Sequence, residues 1–132
     1  MLLEVQEKKQ EERKLIISTL MRLGMEPGTL GFCYSVEILE MIKDLIKTNT
    51  LMSSKPNVMD MYEEEGKKHN TSWRSVERVV RNSIERTFTS GSNTAELTEL
   101  FGSSISYETG KMTNKNFLFG VAISIFGIGD VQ

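Results

Sequence analysis

The chain has a single cysteine, Cys33, and a single histidine, His69, in 132 residues. One cysteine makes no intrachain disulfide and suits a reducing compartment, with Cys33 read by default as a small buried residue. One cysteine and one histidine fall short of the usual zinc ligand sets, so no metal is expected. A lone histidine in a turn beside Lys67 and Lys68 reads as a surface or phosphate-proximal residue. Neither a GxGxxG run nor P-loop spacing occurs, so no cofactor is expected and nothing in the pattern supports an enzyme. Long apolar runs are missing too. The most apolar stretch, residues 117–128, contains glycines and is well short of the roughly twenty residues a bilayer requires, so it reads as a core helix. The beginning of the chain turns charged at Glu4 without a secretory pattern, and internal repeats and low-complexity tracts are absent. A cytoplasmic protein without membrane contact is expected.

What is present suits one ordinary globular domain, with 39% hydrophobic and 26% charged residues. The periodicity predicts an all-α architecture of about six helices. Residues 2–23 form a first helix, charged at its start and apolar at Leu15, Ile16, Leu20 and Leu23, ended by Gly24 and a Pro27-Gly28 turn. Ser35 is expected to cap a second helix running to about Thr48. Its buried side is Val36, Leu39, Ile42, Leu45 and Ile46, with Glu37 in its first turn and Lys47 in its last. Two helices at about 55–69 and 72–89 follow. The loop 90–93 leads to a short helix ending at Gly102, for which Asn93 and Glu96 resemble a capping box. Residues 103–112 read as irregular, and Thr113 opens a last helix through Phe126. Met52, Met59 and Met61 are read as core fillers, and Glu63-Glu64-Glu65 as a solvated charge run.

The segment 67–81 carries the functional signal. Asn70 tolerates a left-handed backbone and breaks one helix. Ser72 then caps the next, its hydroxyl accepting a backbone N–H near Ser75. Val76, Val80 and Ile84 recur every four residues, with Val79, Ser83 and Phe88 beside them, as the buried stripe. Arg74, Arg78, Arg81 and Glu85, flanked by Ser75, Glu77 and Asn82, occupy the other face. Arginine suits bidentate contact with guanine, and a carboxylate accepts from a cytosine amino group. The helix N-terminus and other cations hold phosphates. Charge is distributed accordingly. Residues 1–65 carry eight basic and twelve acidic side chains. Residues 66–91 carry Lys67, Lys68, Arg74, Arg78, Arg81 and Arg86 against Glu77 and Glu85, and 92–132 carry two basic against four acidic. A basic segment within a chain of net charge −2 is the footprint of a DNA contact surface, with weak and salt-sensitive non-specific binding.

These residues resemble the DNA-binding effector domain of the stage-zero sporulation protein A family, response regulators of endospore-forming bacteria. The resemblance runs from about Ile17 to Phe126. It is carried by Lys67-Lys68-x-Asn70-Thr71, Val76-Glu77-Arg78-x-Val80-Arg81 and Ile84-Glu85. Leu23-Gly24, Gly31-Phe32-x-Tyr34, Leu100-Phe101-Gly102, and Thr113-Asn114 with Phe117 support it. The resemblance implies a helix-turn-helix whose Glu77 and Arg78 touch base edges in a box resembling TGTCGAA, with Arg81 on the backbone. The DNA-contacting set expected overall is Lys67, Lys68, Ser72, Arg74, Ser75, Glu77, Arg78, Arg81, Asn82 and Arg86. Several positions depart from the family pattern. Arg74-Ser75 stands where Ser-Arg is usual, which rotates the arginine by roughly 100° around the helix. Trp73 replaces a proline, Glu63 to Glu65 add charge, and the proline after Leu-Gly is displaced to Pro27. These shift the expected base preference.

The expected organisation is a charged N-terminal arm at 1–14 and an effector domain at 15–132, with the helix-turn-helix at about 55–89. The arm reads as a solvated helix or linker, or as a weak seam for a second copy. No receiver domain is expected within the chain, which is then an excised effector domain or a stand-alone relative. A homodimer on tandem DNA sites would meet through 96–101 and 117–126. The competing reading is a helical protein-interaction module that keeps the fold without DNA binding.

Overall fold

A computed structural model describes residues 2–48, 57–90, 93–102 and 112–127. Six helices run through them: α1 (Leu2–Leu23), α2 (Leu30–Lys47), α3 (Val58–Lys68), α4 (Trp73–Thr89), α5 (Thr94–Phe101) and α6 (Asn114–Phe126). The described residues contain no strand, so the all-α expectation holds. None of these helices is long and apolar enough to cross a membrane. All but the last residue of the irregular segment expected at 103–112, and Met52 with its expected core role, lie outside the described residues.

Helix α2 is the axis of the domain because its apolar residues go nearly all round. Phe32, Tyr34, Val36, Ile38, Leu39, Ile42 and Ile46 are all buried. A helix of that kind must be covered on several sides, and α1, α3, α4 and α6 all pack against it. Ile16, Leu20 and Leu23 of α1, Val76, Val80 and Ile84 of α4, and Phe117, Leu118, Val121 and Ala122 of α6 complete one core. Met61 is buried in it and Met59 packs at its edge, as gap-filling methionines do.

The expected start of α2 is corrected. Thr29 is the N-cap, its Oγ1 accepting the Phe32 N–H at 3.2 Å, six residues before Ser35. Ser35 lies inside the helix and is buried, and Glu37 lies well beyond the first turn. The physical reason is tertiary. Gly31 sits where α2 crosses α4, and a β-carbon there would stand 1.7 Å from Ser83 Oγ. A glycine that reads as a breaker is instead the site of closest helix approach. The Asn93–Glu96 capping box is corrected as well. Asn93 makes no side-chain capping bond, and its Nδ2 instead donates to the Arg22 carbonyl at 2.7 Å, tying α5 to the end of α1.

The other ends are as expected. Gly24 (φ 102°) terminates α1, Thr113 Oγ1 caps α6 by accepting from Asn116 N at 3.1 Å, and Gly127 (φ 77°) closes it. Helix α1 is continuous across residues 14 and 15, with Leu2, Leu3 and Val5 exposed at its outer end. Its inner part is clamped to α2. Arg13 Nη1 donates to Glu40 Oε1 at 2.8 Å, and Glu12, buried, pairs with Lys47 and with Lys43 at 3.3 Å. Burial alone would raise the Glu12 carboxyl pKa, but the hydrogen bonds and charges of Lys47 and Lys43 outweigh it and hold it below the ordinary value.

Candidate nucleic-acid interface

The turn between α3 and α4 follows from its residues. His69 is the C-cap of α3, and Asn70 takes the left-handed conformation (φ 56°). Asn70 N–H donates to the Lys67 carbonyl at 3.3 Å and Thr71 N–H to the Gly66 carbonyl at 2.8 Å. This pair of bonds is the Schellman arrangement, with asparagine where glycine is commoner. Ser72 then caps α4, its Oγ accepting the Ser75 N–H at 3.1 Å. Four residues separate two helices that pack on each other and on α2.

Gly66 permits this close return of the chain. A β-carbon there would meet the Thr71 carbonyl oxygen at 2.7 Å, a backbone atom that cannot rotate away. Glycine to alanine inside a helix normally stabilises by about 1 kcal/mol, while overpacking costs about 1–3 kcal/mol. Gly66→Ala is therefore expected to destabilise, by up to about 2 kcal/mol on balance. Urea titration reads it as a lowered midpoint, and a raised midpoint would contradict the close approach.

Helix α4 presents two faces. Val76, Val80, Ser83, Ile84 and Thr87 are buried, with Val79 and Phe88 partly so. Arg74, Arg78, Arg81, Asn82 and Arg86 are exposed, as are Lys67, Lys68 and Ser72 at the turn, while Ser75 and Glu77 are half-buried. All ten expected residues thus fall on α4, the turn before it or the last turn of α3, but their surroundings differ. Arg74 stacks over the Trp73 ring at 5.1 Å from its centroid. Arg81 grips Glu77 through two hydrogen bonds, of 2.7 and 3.0 Å. Arg86 Nε donates to the Asn82 carbonyl at 3.4 Å. Lys68 Nζ lies 3.4 Å from Glu37 of α2. Arg78 makes no hydrogen bond or ion pair to any described residue and stands in the middle of the exposed face.

Two features of this region escape a reading of the sequence. The first is the anchor behind Glu77. Asn114 Nδ2, at the start of α6, donates to the Glu77 carbonyl at 3.3 Å and lies 3.4 Å from its Oε2. The same group donates to the Tyr62 hydroxyl oxygen at 3.1 Å. Burial raises the Tyr62 pKa, so its hydroxyl stays protonated. Asn114 therefore connects α3, α4 and α6 and orients the carboxylate next to Arg78. Only the Thr113-Asn114 pair hinted at it.

The second feature is a polar cluster behind the turn, and it corrects two expectations. Glu65 is not solvated but fully buried, and His69, expected at the surface, is half-buried with its side chain 28% exposed. His69 Nε2 lies 2.5 Å from Glu37 Oε1 and 3.0 Å from Glu65 Oε2, and its ring packs on Tyr34 at 5.1 Å between centroids. Burial, reinforced by Glu37, pushes the Glu65 carboxyl up to about 8. Glu65 therefore holds a proton that it can donate, and that hydrogen bond, with His69 and Lys68, holds Glu37 down at about 2. Cys33 is partly buried rather than fully so, and its thiol is pushed up by burial and by the charges of Glu37 and Glu65. The visible signal was the pair of i,i+4 spacings, 33/37 and 65/69, which each place two polar groups on one helix face.

Six helices around one core, with a capped helix-turn-helix presenting a basic outer face, define a helical DNA-binding domain. The family described as Sporulation initiation factor Spo0A C terminal matches residues 16–125, in agreement with the resemblance expected over about 17–126. The chain belongs to this family, the DNA-binding effector domain of a sporulation transcription regulator. Double-stranded DNA is accordingly its partner class.

Proposed function

We propose that α4 enters the major groove and reads a specific sequence, with Arg78 as its principal base-contacting residue. The observation that carries this reading is the isolation of Arg78. Among the arginines of α4 it alone has no hydrogen bond, ion pair or stacked ring among the described residues, so it reaches a guanine without first breaking a contact. Glu77, aligned by Arg81 and Asn114, retains an acceptor position for a cytosine amino group. Arg81, Arg74, Arg86, Lys67 and Lys68 contact phosphates, joined by Asn82 and Ser75 and by the Ser72-capped start of α4. The base preference centres on a box resembling TGTCGAA, altered where Arg74 and Ser75 exchange places. Two copies occupy tandem boxes and meet through the outer sides of α5 and α6. The inner residues Leu97, Phe101, Phe117, Leu118, Val121 and Ala122 belong to each chain's own core. The site of action is the nucleoid in the cytoplasm.

Fluorescence anisotropy on a duplex carrying the box, a scrambled duplex and a salt series tests this. Arg78→Ala is expected to weaken box binding by about 1–3 kcal/mol and relax preference at one base pair. Equal binding of box and scrambled duplex by the wild type would show that the target sequence differs. Absence of binding to both at low salt would leave the fold serving as a protein-interaction module.

A further inference from the structure

The cluster behind the turn is independent of the DNA-facing side of α4, and its donors come from two helices. Cys33 and Glu37 stand four residues apart on α2, and Glu65 and His69 stand four apart at the end of α3. The Cys33 sulfur, a Glu37 carboxylate oxygen and a His69 ring nitrogen lie within 4.8 Å of one another. Glu65 is a second, separate observation. Its side chain is 0% exposed, its Oε2 lies 3.0 Å from His69 Nε2, and neither oxygen has a hydrogen-bond donor among the described residues. Buried polar atoms normally have partners, and Glu65 meets that need only by keeping its proton and sharing it with Glu37, itself a metal-ligating group. Lys68 pairs with Glu37 from the solvent side, its own side chain 55% exposed, and acts on Glu65 and Cys33 through its charge alone. Three acidic groups and one imidazole therefore meet with no buried lysine or arginine among them.

We propose that Cys33, Glu37, Glu65 and His69 bind a divalent transition metal with the preferences of zinc, closing α2 onto the end of α3. One sulfur, one nitrogen and carboxylate oxygens form the donor set that zinc and cobalt accept, whereas magnesium and calcium demand oxygen alone. Tetrahedral zinc has bonds of about 2.0–2.3 Å, which places donor atoms roughly 3.3–3.8 Å apart. Rotamer changes of about an ångström bring Cys33, Glu37 and His69 to that spacing, and Glu65 joins them through the Oε2 that lies 3.0 Å from His69 Nε2. The metal replaces the protons on the Cys33 thiol and the Glu65 carboxyl, which are released on binding. It also supplies the positive charge that lets Glu65 ionise in its buried place. Its position fixes His69, the residue immediately before the left-handed Asn70, so metal binding stiffens the connection into α4.

The test uses the whole chain, stripped with a chelator and kept reduced, and titrated with cobalt(II). One equivalent is expected to give intense tetrahedral visible bands and a near-ultraviolet thiolate-to-cobalt band, both abolished by zinc displacement. One equivalent of zinc should raise the melting temperature, because it binds the folded state alone. Cys33→Ser should lose the thiolate band while keeping its far-ultraviolet circular dichroism. Glu65→Gln and His69→Ala should each weaken cobalt binding by more than about 100-fold, beyond what loss of an outer hydrogen bond costs a metal site. No cobalt spectrum and no zinc-dependent melting shift in the wild type would overturn the proposal and leave a proton-sharing carboxyl pair. Binding that survives Cys33→Ser and His69→Ala unchanged, or equal stabilisation by magnesium, would overturn it as well.

Discussion

Replacing Phe117 with alanine is expected to remove about 3–5 kcal/mol of folding free energy. Phe117 is 0% exposed and heads the fully buried side chains by volume. Its ring meets Phe101 at 5.2 Å and Phe88 at 6.1 Å between centroids, the latter edge-on. It thus joins α6 to α5 and to the end of the proposed recognition helix. Its loss leaves a cavity bounded by two other aromatic rings, and neither can fill it without leaving its own place in the core. A domain of this size has about 5–15 kcal/mol of stability in total, so the variant loses about a fifth of it or more. Urea denaturation should show a large drop in midpoint at unchanged slope. Phe117→Leu, which keeps most of the volume, should cost less than about 1.5 kcal/mol. A loss below about 1 kcal/mol for the alanine variant would mean that the three rings do not form one packed unit.

The second large effect is a loss of stability as pH rises, measured in chelator so that only protons occupy the cluster. Glu65 faces Glu37, His69, Cys33 and Lys68, with Glu40 adding repulsion. Its carboxyl rises from an ordinary 4.5 to about 8 on folding, chiefly through burial. Between those values the folded chain binds more protons at this site than the unfolded chain. Stability from this group is therefore full below about pH 4.5, falls as pH rises, and levels off above about 8. Glu37 works in the opposite sense at lower pH. With its carboxyl held at about 2, chiefly by the hydrogen bond from Glu65, it makes stability rise between about 2 and 4.5. The limiting slope is about 1.4 kcal/mol per pH unit per proton, so the decline between 4.5 and 8 amounts to a few kcal/mol. Glu65→Gln cannot ionise and should flatten that decline while leaving the acid limb. A wild-type midpoint that stays level from pH 5 to 8 would place the proton elsewhere.

These two effects differ in how far the sequence anticipated them. The burial of Phe117 was legible because residues 117–128 are apolar without interruption by charge, and such a helix has to be enclosed. The turn was legible for a local reason. Asn70 and Ser72 act on backbone groups within three or four residues of themselves, and those contacts exist wherever the segment is placed. The basic outer face of α4 was legible because helical period alone separates Arg74, Arg78 and Arg81 from Val76, Val80 and Ile84.

The start of α2 was not legible. Thr29 and Ser35 are equally competent caps, and the choice rested on Gly31, Phe32 and Tyr34 having α4 and the core to pack against. The Asn93 side chain, likewise, was drawn off to Arg22, 71 residues away. Glu65 and His69 show the same division most sharply. In sequence they are one more acid in a charge run and a lone histidine beside two lysines. Their placement beside Cys33 and Glu37, 32 residues away along the chain, turns them into one partly buried polar cluster. By itself the sequence determined the helices, the turn, the charge of the exposed side of α4 and the family, because periodicity, capping and composition are properties of neighbouring residues. Only the tertiary structure decided which carboxylates are buried, which arginines are engaged and which polar groups meet, because desolvation and charge pairing depend on distances that folding alone sets.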